Sequence, residues 1–380
     1  MTPDTLARWV ALRHDLHRHP DISGEEAATA ARVLDILRKF NPDRILTAIG
    51  GHGVAAVYEG RGSGPTVAIR CELDALPIQE LSASAHASTI PGKAHLCGHD
   101  GHMVMVLALA EALQDRPPKR GRVVLLFQPA EETGKGASAF RADSKFTGIA
   151  PDYVFALHNM PGLPLGHVEL NRAAANCASR GMKIRLTGKT SHAAAPGDGL
   201  SPAGAMARLM PALAALGPGG VLDSEFALTT LTHAALGEPT FGVSPGSGEL
   251  WVTLRTVANN RMERLMSEAT ALAEADAAAQ GLGLSISYDD IFDACTNDAT
   301  AVQILQAAAL GAGAPVQLID QPLKFSEDFG QFGKGAKTAM FWLGAGEDSP
   351  QLHNPDYDFP DVLIPTGTAI FLKALRALTD

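Results

Sequence analysis

The chain has 380 residues, of which 46% are hydrophobic and 19% charged, so it can bury a large core and form two domains. Its 31 basic and 41 acidic residues give a net charge of −10, which repels phosphate backbones and anionic membrane surfaces and excludes nucleic acid and membranes as expected partners. The first residues contain no apolar run as long as a signal peptide or membrane span, and four scattered cysteines do not suggest a disulfide framework. We therefore expect a cytoplasmic protein.

The predicted elements begin with two amphipathic helices, at 3–19 and 23–39. Ser23 and Glu26, three residues apart, have the spacing of a capping box at the start of the second helix. Helical stretches such as 102–114 then alternate with short β-rich apolar runs at 54–58, 66–71, 122–128 and 153–158. This alternation predicts an α/β domain with a mostly parallel sheet and helices on its faces.

The segment 180–289 has a different order of elements: strand, helix, strand, strand, helix, strand. This is the ferredoxin-like βαββαβ arrangement, which can fold as a unit of its own. Helix and strand alternation resumes afterwards, at 298–310, 338–344 and 361–377. We therefore predict one domain made of 1–179 and 290–380, with 180–289 inserted into it.

Polar side chains directly follow several apolar runs. They are Glu72 and Asp74 after 66–71, Glu131 and Glu132 after 122–128, His158 after 153–157, and Cys97, His99, Asp100 and His102 in the loop before a helix. In open α/β sheets, ligands bind outside the carboxyl ends of the strands. Such a set of thiol, imidazole and carboxylate groups at one edge of a sheet favours a metal site.

Each of these motifs also has a structural explanation when it is considered alone. The segment from Cys97 to Asp100 fits a turn followed by a helix cap, and a Glu-Glu pair after a strand fits a solvated loop. His158 fits a hydrogen-bonded core histidine, and His353, in a turn-rich segment, fits a surface residue. Only their occurrence together favours a metal site.

The two adjacent glutamates can have different roles. Neighbouring side chains at the end of a strand point apart, so Glu132 can bind metal while Glu131 faces the substrate as general base. Two metal ions about 3.5–4 Å apart can activate water and polarise a carbonyl group. A bridging thiolate from Cys97 would be deprotonated by the metals themselves. This chemistry suits the hydrolysis of an amide bond.

Longer motifs along the whole chain permit comparison with a known family. They are LRHDLHRHPDISGEE (12–26), RCELDALP (70–77), HLCGHDGH (95–102), FQPAEETGKGA (127–137), ALHNMPGLPLG (156–166), GKTSHAAAPGDGLSP (188–202), SEDFGQF (326–332) and LHNPDYDF (352–359). By these motifs the chain resembles the hippurate hydrolase and auxin-conjugate hydrolase branch of the aminoacylase and carboxypeptidase-type metallopeptidases. The resemblance implies a zinc-peptidase-like catalytic domain with an inserted lid and dimerisation domain.

The resemblance also assigns roles to the residues of the predicted site. Glu131 is expected to be the base and proton shuttle, and Asp74 to orient a ligand. Two divalent ions are expected per subunit, Zn²⁺ or Mn²⁺, with Co²⁺ and Ni²⁺ also suited to the donor set. The implied metal ligands are Cys97, His99, Glu132, His158 and His353.

In the inserted domain the resemblance implies three substrate-contacting positions. His192 matches a histidine that stabilises the tetrahedral oxyanion, commonly in the active site of the partner subunit, so a homodimer is expected. Arg255 matches an arginine that contacts the substrate carboxylate. Gly242 stands where the family usually has asparagine, and Glu72 where it usually has aspartate. The glycine leaves open how the acid group of the substrate is recognised.

The predicted activity is therefore the metal-dependent hydrolysis of small N-acyl amino acids to a carboxylic acid and a free amino acid. The acyl group and the amino acid stay open. The alternatives are a dipeptidase or carboxypeptidase-like enzyme, a thiol hydrolase with Cys97 as nucleophile and His99 or His102 as base, and a silent binder of acylated small molecules. Retention of Glu131 beside five metal ligands opposes the binder, which has no need of a base.

Overall fold

The structure is a computed structural model that describes residues 1–380. Its strands are β1 (Arg44–Ile49), β2 (Gly53–Glu59), β3 (Gly62–Glu72), β4 (Arg120–Gln128), β5 (Tyr153–Pro161), β6 (Val168–Asn171), β7 (Ala174–Asn176), β8 (Ala178–Thr187), β9 (Ser191–His192), β10 (Ala227–Leu236), β11 (Val243–Ser244), β12 (Ser247–Thr256), β13 (Gly283–Phe292), β14 (Cys295–Thr296), β15 (Val316–Ile319) and β16 (Lys337–Gly346). Its α-helices are α1 (Pro3–Arg18), α2 (Ala27–Arg38), α3 (His99–Asp115), α4 (Gly136–Ala142), α5 (Ser144–Thr147), α6 (Ala203–Leu216), α7 (Asn259–Gln280), α8 (Ala299–Gly311) and α9 (Leu363–Thr379). Short 3₁₀ helices span Pro196–Asp198 and Asp328–Lys334. None of the helices is long and apolar enough to cross a membrane.

The chain divides into two compact units, the first of which consists of Met1–Ala175, Cys295–Asp320 and Asp328–Asp380. Its eight-stranded sheet has the order β1-β2-β4-β3-β5-β16-β6-β15. The pairs β4–β3, β3–β5, β5–β16 and β6–β15 are parallel, and the others are antiparallel. The prediction of a mixed, mostly parallel sheet is confirmed.

Both faces of this sheet are covered. Val67 and Ile69 of β3 pack in one core with residues of α1, α2, α3, α8 and α9. Ala68 and Leu126, which point to the opposite face, are equally buried. Strands buried on both faces are continuous apolar runs in the sequence, and for this reason β3, β4 and β5 could be recognised as strands.

The second unit consists of Asn176–Ala294 and Gln321–Glu327. Its antiparallel sheet has the order β10-β12-β8-β13, and α6 and α7 pack on one face of it. The elements follow one another as β8-α6-β10-β12-α7-β13, the predicted βαββαβ order. Strand β10 is an edge strand, and its residues 230–236 are exposed.

The bounds of this unit differ from those predicted for the inserted domain. It begins at Asn176 and its first segment ends at Ala294, where 180 and 289 were expected, and it includes Gln321–Glu327, which was assigned to the first domain. Leu323 pairs with Asn176, and its carbonyl accepts a hydrogen bond from the Cys177 amide at 3.1 Å. Such a pairing between distant segments is not visible in the sequence. The roles of catalytic and lid domain stay predictions.

The predicted capping box at the start of α2 is wrong. The helix begins at Ala27, and Glu26, at the N-cap position, makes no side-chain capping bond. The Ser23 hydroxyl instead donates to Asp74 Oδ2 at 2.6 Å, and Glu26 Oε1 accepts from the amides of Gly24 and Ala130 at 2.7 and 2.8 Å. Asp74 and Ala130, both distant in the chain, thus take the place of the partners that a capping box would supply.

Candidate metal centre

The five predicted ligands come from four segments of the first unit. Cys97 and His99 flank Gly98 at the start of α3, Glu132 follows β4, His158 lies in β5, and His353 lies in the loop between β16 and α9. Gly98 has a φ of +89°, and a Cβ there would lie 2.5 Å from Asn159 Oδ1. Only glycine permits the loop to pass this close to β5.

The structure brings all five side chains together. Donor atoms of Cys97, His99 and His158 lie within 4.8 Å of one another, and so do those of Cys97, Glu132 and His353. The Cys97 Sγ is 3.3 Å from His158 Nε2, and His353 Nε2 is 3.6 Å from Glu132 Oε2. Cys97 belongs to both groups, and its predicted role as a bridging ligand stays a prediction.

Glu131 lies at the same place. His99 Nε2 is 4.0 Å from Glu131 Oε2 and 3.9 Å from Glu132 Oε1. The Asp328 amide donates a hydrogen bond of 3.4 Å to Glu131 Oε1. The adjacent glutamates therefore both reach His99.

Burial controls the protonation of the thiol and of one imidazole. Burial, followed by the charges of Glu132 and Glu131, raises the pKa of the Cys97 thiol well above its usual value. Burial, followed by the charges of His102 and His99, lowers the pKa of His158 well below its usual value. At neutral pH, and with no cation present, Cys97 is a neutral thiol and His158 a neutral imidazole.

The donor set fits a divalent cation. His99 Nδ1 donates to the Asp74 carbonyl at 2.8 Å, whereas the buried Nε2, which faces the two glutamates, has no hydrogen-bond partner. His158 Nδ1 likewise donates to the Asn159 carbonyl, which leaves its Nε2 lone pair directed at Cys97. Backbone bonds of this kind set the tautomer of metal-binding histidines. Thiol, imidazole and carboxylate together suit Zn²⁺ and neighbouring transition metals.

Asp74 connects two of the ligand segments. Its side chain accepts from the Glu132 amide at 3.0 Å and from the Ser23 hydroxyl, while its backbone carbonyl holds His99. The carboxylate is wholly buried. Its predicted orienting role is compatible with these contacts.

Glu72 and His102 belong to a buried polar network beside the predicted ligands. His102 lies one turn after His99 on α3; its Nδ1 is 2.7 Å from Glu72 Oε2, and its Nε2 contacts Asn159 Oδ1. Glu72 also pairs with the buried Arg70. Both nitrogens of His102 thus have partners, and a donor atom of His102 lies within 4.8 Å of donor atoms of Glu72 and His99. The i, i+3 spacing of the two histidines was the sequence signal for this proximity.

Arg13 of α1 forms a second network that sequence reasoning missed. Its guanidinium, 1% exposed, pairs with Asp100 at 3.3 Å, Asp361 at 2.8 Å and Asp358. Asp100 also bonds His17 Nδ1 at 2.8 Å. Arg13 therefore connects the helix that begins with His99 to the loop that follows His353. The recurrence of His and Arg in residues 13–19 was the only sequence signal.

The three remaining predicted residues lie in the second unit. His192 of β9 is exposed and pairs with Val243 of β11, and the Ala193 amide donates to the Gly242 carbonyl at 3.1 Å. Gly242 adjoins open space, since a Cβ at this position would meet no atom within 4 Å beyond its chain neighbours. Arg255, at the end of β12, donates to the Lys324 carbonyl at 3.0 Å and to Ser326 Oγ at 2.9 Å. The structure thus brings His192 and Gly242 together within this unit.

The chain is similar to known proteins over most of its length. A model described as peptidase family M20/M25/M40 matches residues 68–377. An N-acetylcysteine deacetylase of Bacillus subtilis is 27% identical over 96% of this chain and 95% of its own length, and a hippurate hydrolase of Campylobacter jejuni is 28% identical over 99% and 98%. The solved structure of the Bacillus subtilis YXEP protein, a dinuclear metal-binding peptidase from the M20 family, has a TM-score of 0.83 at 25% identity and covers 99% of both chains.

Proposed function

Because the chain belongs to peptidase family M20/M25/M40, we propose that it hydrolyses small N-acyl amino acids to a carboxylic acid and a free amino acid. The recognition of this family from sequence motifs is confirmed, and so is the classification as an amidohydrolase. The observation that carries the proposal is the convergence of Glu131 with Cys97, His99 and Glu132 in one buried cluster. The names of the relatives, a deacetylase and a hippurate hydrolase, support the substrate class.

We propose that two divalent ions per subunit would be held by Cys97, His99, Glu132, His158 and His353. Bound divalent ions supply Lewis acidity, which polarises a carbonyl group and makes water more acidic. The mixed donor set suits Zn²⁺ or Mn²⁺, and Co²⁺ or Ni²⁺ fit the same ligands. The dinuclear YXEP protein supports the number of ions.

Glu131 is proposed to take the proton from the attacking water and to deliver it to the amine that leaves. The carboxylate is 5% exposed and held by the Asp328 amide, so it is fixed in place and shielded from bulk water. Arg255 is proposed to bind the substrate carboxylate, since guanidinium offers it two parallel hydrogen bonds. Gly242 leaves space where a side chain would narrow the choice of substrate.

His192 is proposed to stabilise the oxyanion in the active site of a partner subunit within a homodimer. The exposure of its side chain and the exposed edge strand β10 support this assignment, because an unpaired edge can pair with a second chain. A cytoplasmic location is also proposed. All four cysteines are free thiols, as is usual in a reducing compartment.

The thiol hydrolase is a second candidate, because Cys97 Sγ lies 3.3 Å from His158 Nε2. A thiol nucleophile requires a lowered pKa, or a basic histidine to accept its proton. Here the pKa of the thiol is raised and that of the histidine lowered, so proton transfer between them is unfavourable. The metal-dependent reaction is therefore favoured.

Chelation and one pair of variants test the proposal. Activity on N-acetyl and N-benzoyl amino acids should disappear in EDTA and return with Zn²⁺ or Mn²⁺. Glu131→Gln should retain full metal content but lose about 10²–10⁴-fold in kcat, whereas the neighbouring Glu132→Gln should lose metal. Activity that survives EDTA and is abolished by thiol alkylation would establish the thiol hydrolase instead. Near wild-type turnover of the Glu131→Gln variant would exclude Glu131 as the general base.

A further inference from the structure

Glu26 and Ser23 lie far from Glu131 and Glu132 in the chain but contact the segment that carries them. Glu26 is wholly buried, and its Oε1 accepts from the Ala130 amide at 2.8 Å and from the Gly24 amide at 2.7 Å. Ala130 directly precedes Glu131. The carboxylate of Glu26 is thus bonded to the backbone unit that sets the direction of Glu131.

The backbone at Ala130 needs such support. Its φ is +52°, in the left-handed region that residues other than glycine rarely adopt. Its carbonyl accepts from the Gly136 amide at 3.0 Å and from Thr133 Oγ1 at 3.3 Å, both within the same turn. Glu26 supplies the contact from outside the turn. Strained backbone at a functional site persists only when its surroundings hold it.

Ser23 is connected to the backbone of Glu132, the residue after Glu131, through the side chain of Asp74. Its hydroxyl donates to Asp74 Oδ2 at 2.6 Å, and the same oxygen accepts from the Glu132 amide at 3.0 Å. Segment 21–26 is itself fixed to the segment that follows β3, because Ile22 bridges Ala75 and the Ala75 amide donates to the Asp21 carbonyl at 2.8 Å. One short segment therefore holds the turn on both sides of Glu131.

We propose that Glu26 is a positioning residue for Glu131, with Ser23 as a second support acting through Asp74. Glu26 fixes the left-handed turn at Ala130, and the turn aims the Glu131 carboxylate at the reacting water. The hydrogen bonds of Glu26 are to the backbone amides of Gly24 and Ala130 and not to the side chain of a proposed metal ligand. This inference rests on the proposed function of Glu131 as general base.

Two substitutions at Glu26 distinguish the contribution of its side-chain length from that of its charge. Glu26→Gln keeps an oxygen at the same distance and should retain near wild-type kcat. Glu26→Asp keeps the charge but is one methylene too short to reach the Ala130 amide. Its kcat per metal-loaded site should fall about 10- to 100-fold, as expected when a catalytic group is displaced by about 1 Å. KM and metal content should stay close to wild type. Glu25→Asp, the same change at an exposed neighbour, is the matched control and should have no effect.

Ser23→Ala is the second test variant. Because Ser23 is partly exposed, the loss of its hydroxyl should leave the core intact. Removal of one hydrogen bond should reduce kcat about two- to tenfold. A merely structural role would lower the melting temperature and the fraction of active protein without changing kcat per metal-loaded site.

Glu131→Gln in the same series keeps this inference separate from the proposed function. Wild-type kcat in Glu26→Asp, beside an inactive Glu131→Gln, would overturn the positioning role while leaving the base in place. Full activity of Glu131→Gln would show that Glu131 is not the general base, and the proposed function would then fail independently of Glu26. If Glu26→Asp does not fold and Ser23→Ala has unchanged kcat and metal content, Glu26 is a structural residue and the inference is wrong.

Discussion

Replacement of Arg13 by methionine tests how strongly the buried ion network holds the first unit together. The members of this network differ in their access to water. Arg13 is 1% exposed and Asp100 is fully buried, whereas the side chain of Asp358 is 33% exposed and that of Asp361 28%. Loss of one partner of a buried ion pair costs about 3–5 kcal/mol. Water can solvate the two exposed aspartates, and His17 still bonds Asp100, so we expect a loss near the lower end, about 3 kcal/mol.

Arg8→Met on the same helix is the matched control. Arg8 is 54% exposed and pairs with Glu111 at the surface, where such pairs contribute about 0–1 kcal/mol. Arginine and methionine have similar helix propensity, so the helix itself contributes equally to both measurements. Urea unfolding followed by circular dichroism, at one fixed metal concentration, gives the two losses. If Arg13→Met loses no more free energy of unfolding than Arg8→Met, the network does not stabilise the fold as argued.

Three further predictions concern protonation and substrate choice. Burial lowers the pKa of His17, but the charge and hydrogen bond of Asp100 outweigh it and raise the pKa from 6.5 to about 10. The folded protein therefore keeps a proton that the unfolded chain has lost, so the free energy of unfolding should fall between pH 6.5 and 10. His17→Gln should reduce this dependence on pH. If the free energy of unfolding of both proteins falls equally with pH, the pKa of His17 is not raised by folding. Arg255→Ala should raise KM for free-acid substrates about ten- to over a hundredfold and that for matched amides little, and equal losses on both would show that Arg255 does not read the carboxylate. Gly242→Asn should narrow the range of substrates towards small acyl groups or small amino acids. If the substitution changes kcat/KM by the same factor for small and large substrates of a graded series, Gly242 does not control the size of the substrate.

Strand positions were predicted well where local sequence decides them. The apolar runs at 66–71, 122–128 and 153–158 lie within β3, β4 and β5 because strands buried on both faces have no polar alternation. The same runs located Glu131 and His158, since residues at strand ends are gathered at one edge of the sheet. His353 follows no such rule, and only the family motif around it identified it.

Contacts between distant segments limit what the sequence can predict. The spacing of Ser23 and Glu26 fits a capping box, but their true partners, Asp74 and Ala130, lie 51 and 104 residues further along the chain. A local pattern gives no measure of such competition. The pairing of Arg13 with Asp358 is hidden for the same reason, since it joins residues 345 positions apart. Buried charge networks are defined by the fold and not by spacing.

The place of β16 in the first sheet has a consequence for synthesis of the protein. It lies between β5 and β6, yet the chain leaves β6 at Asn171 and reaches β16 only at Lys337. At about 5–20 residues per second, a nascent chain carries β5 and β6 with a gap between them for roughly 10 to 30 s. Their unpaired edges are open to wrong partners during that interval. Because His353 emerges later still, a ribosome-bound chain acquires the last of the proposed metal donors only after β16 has been synthesised.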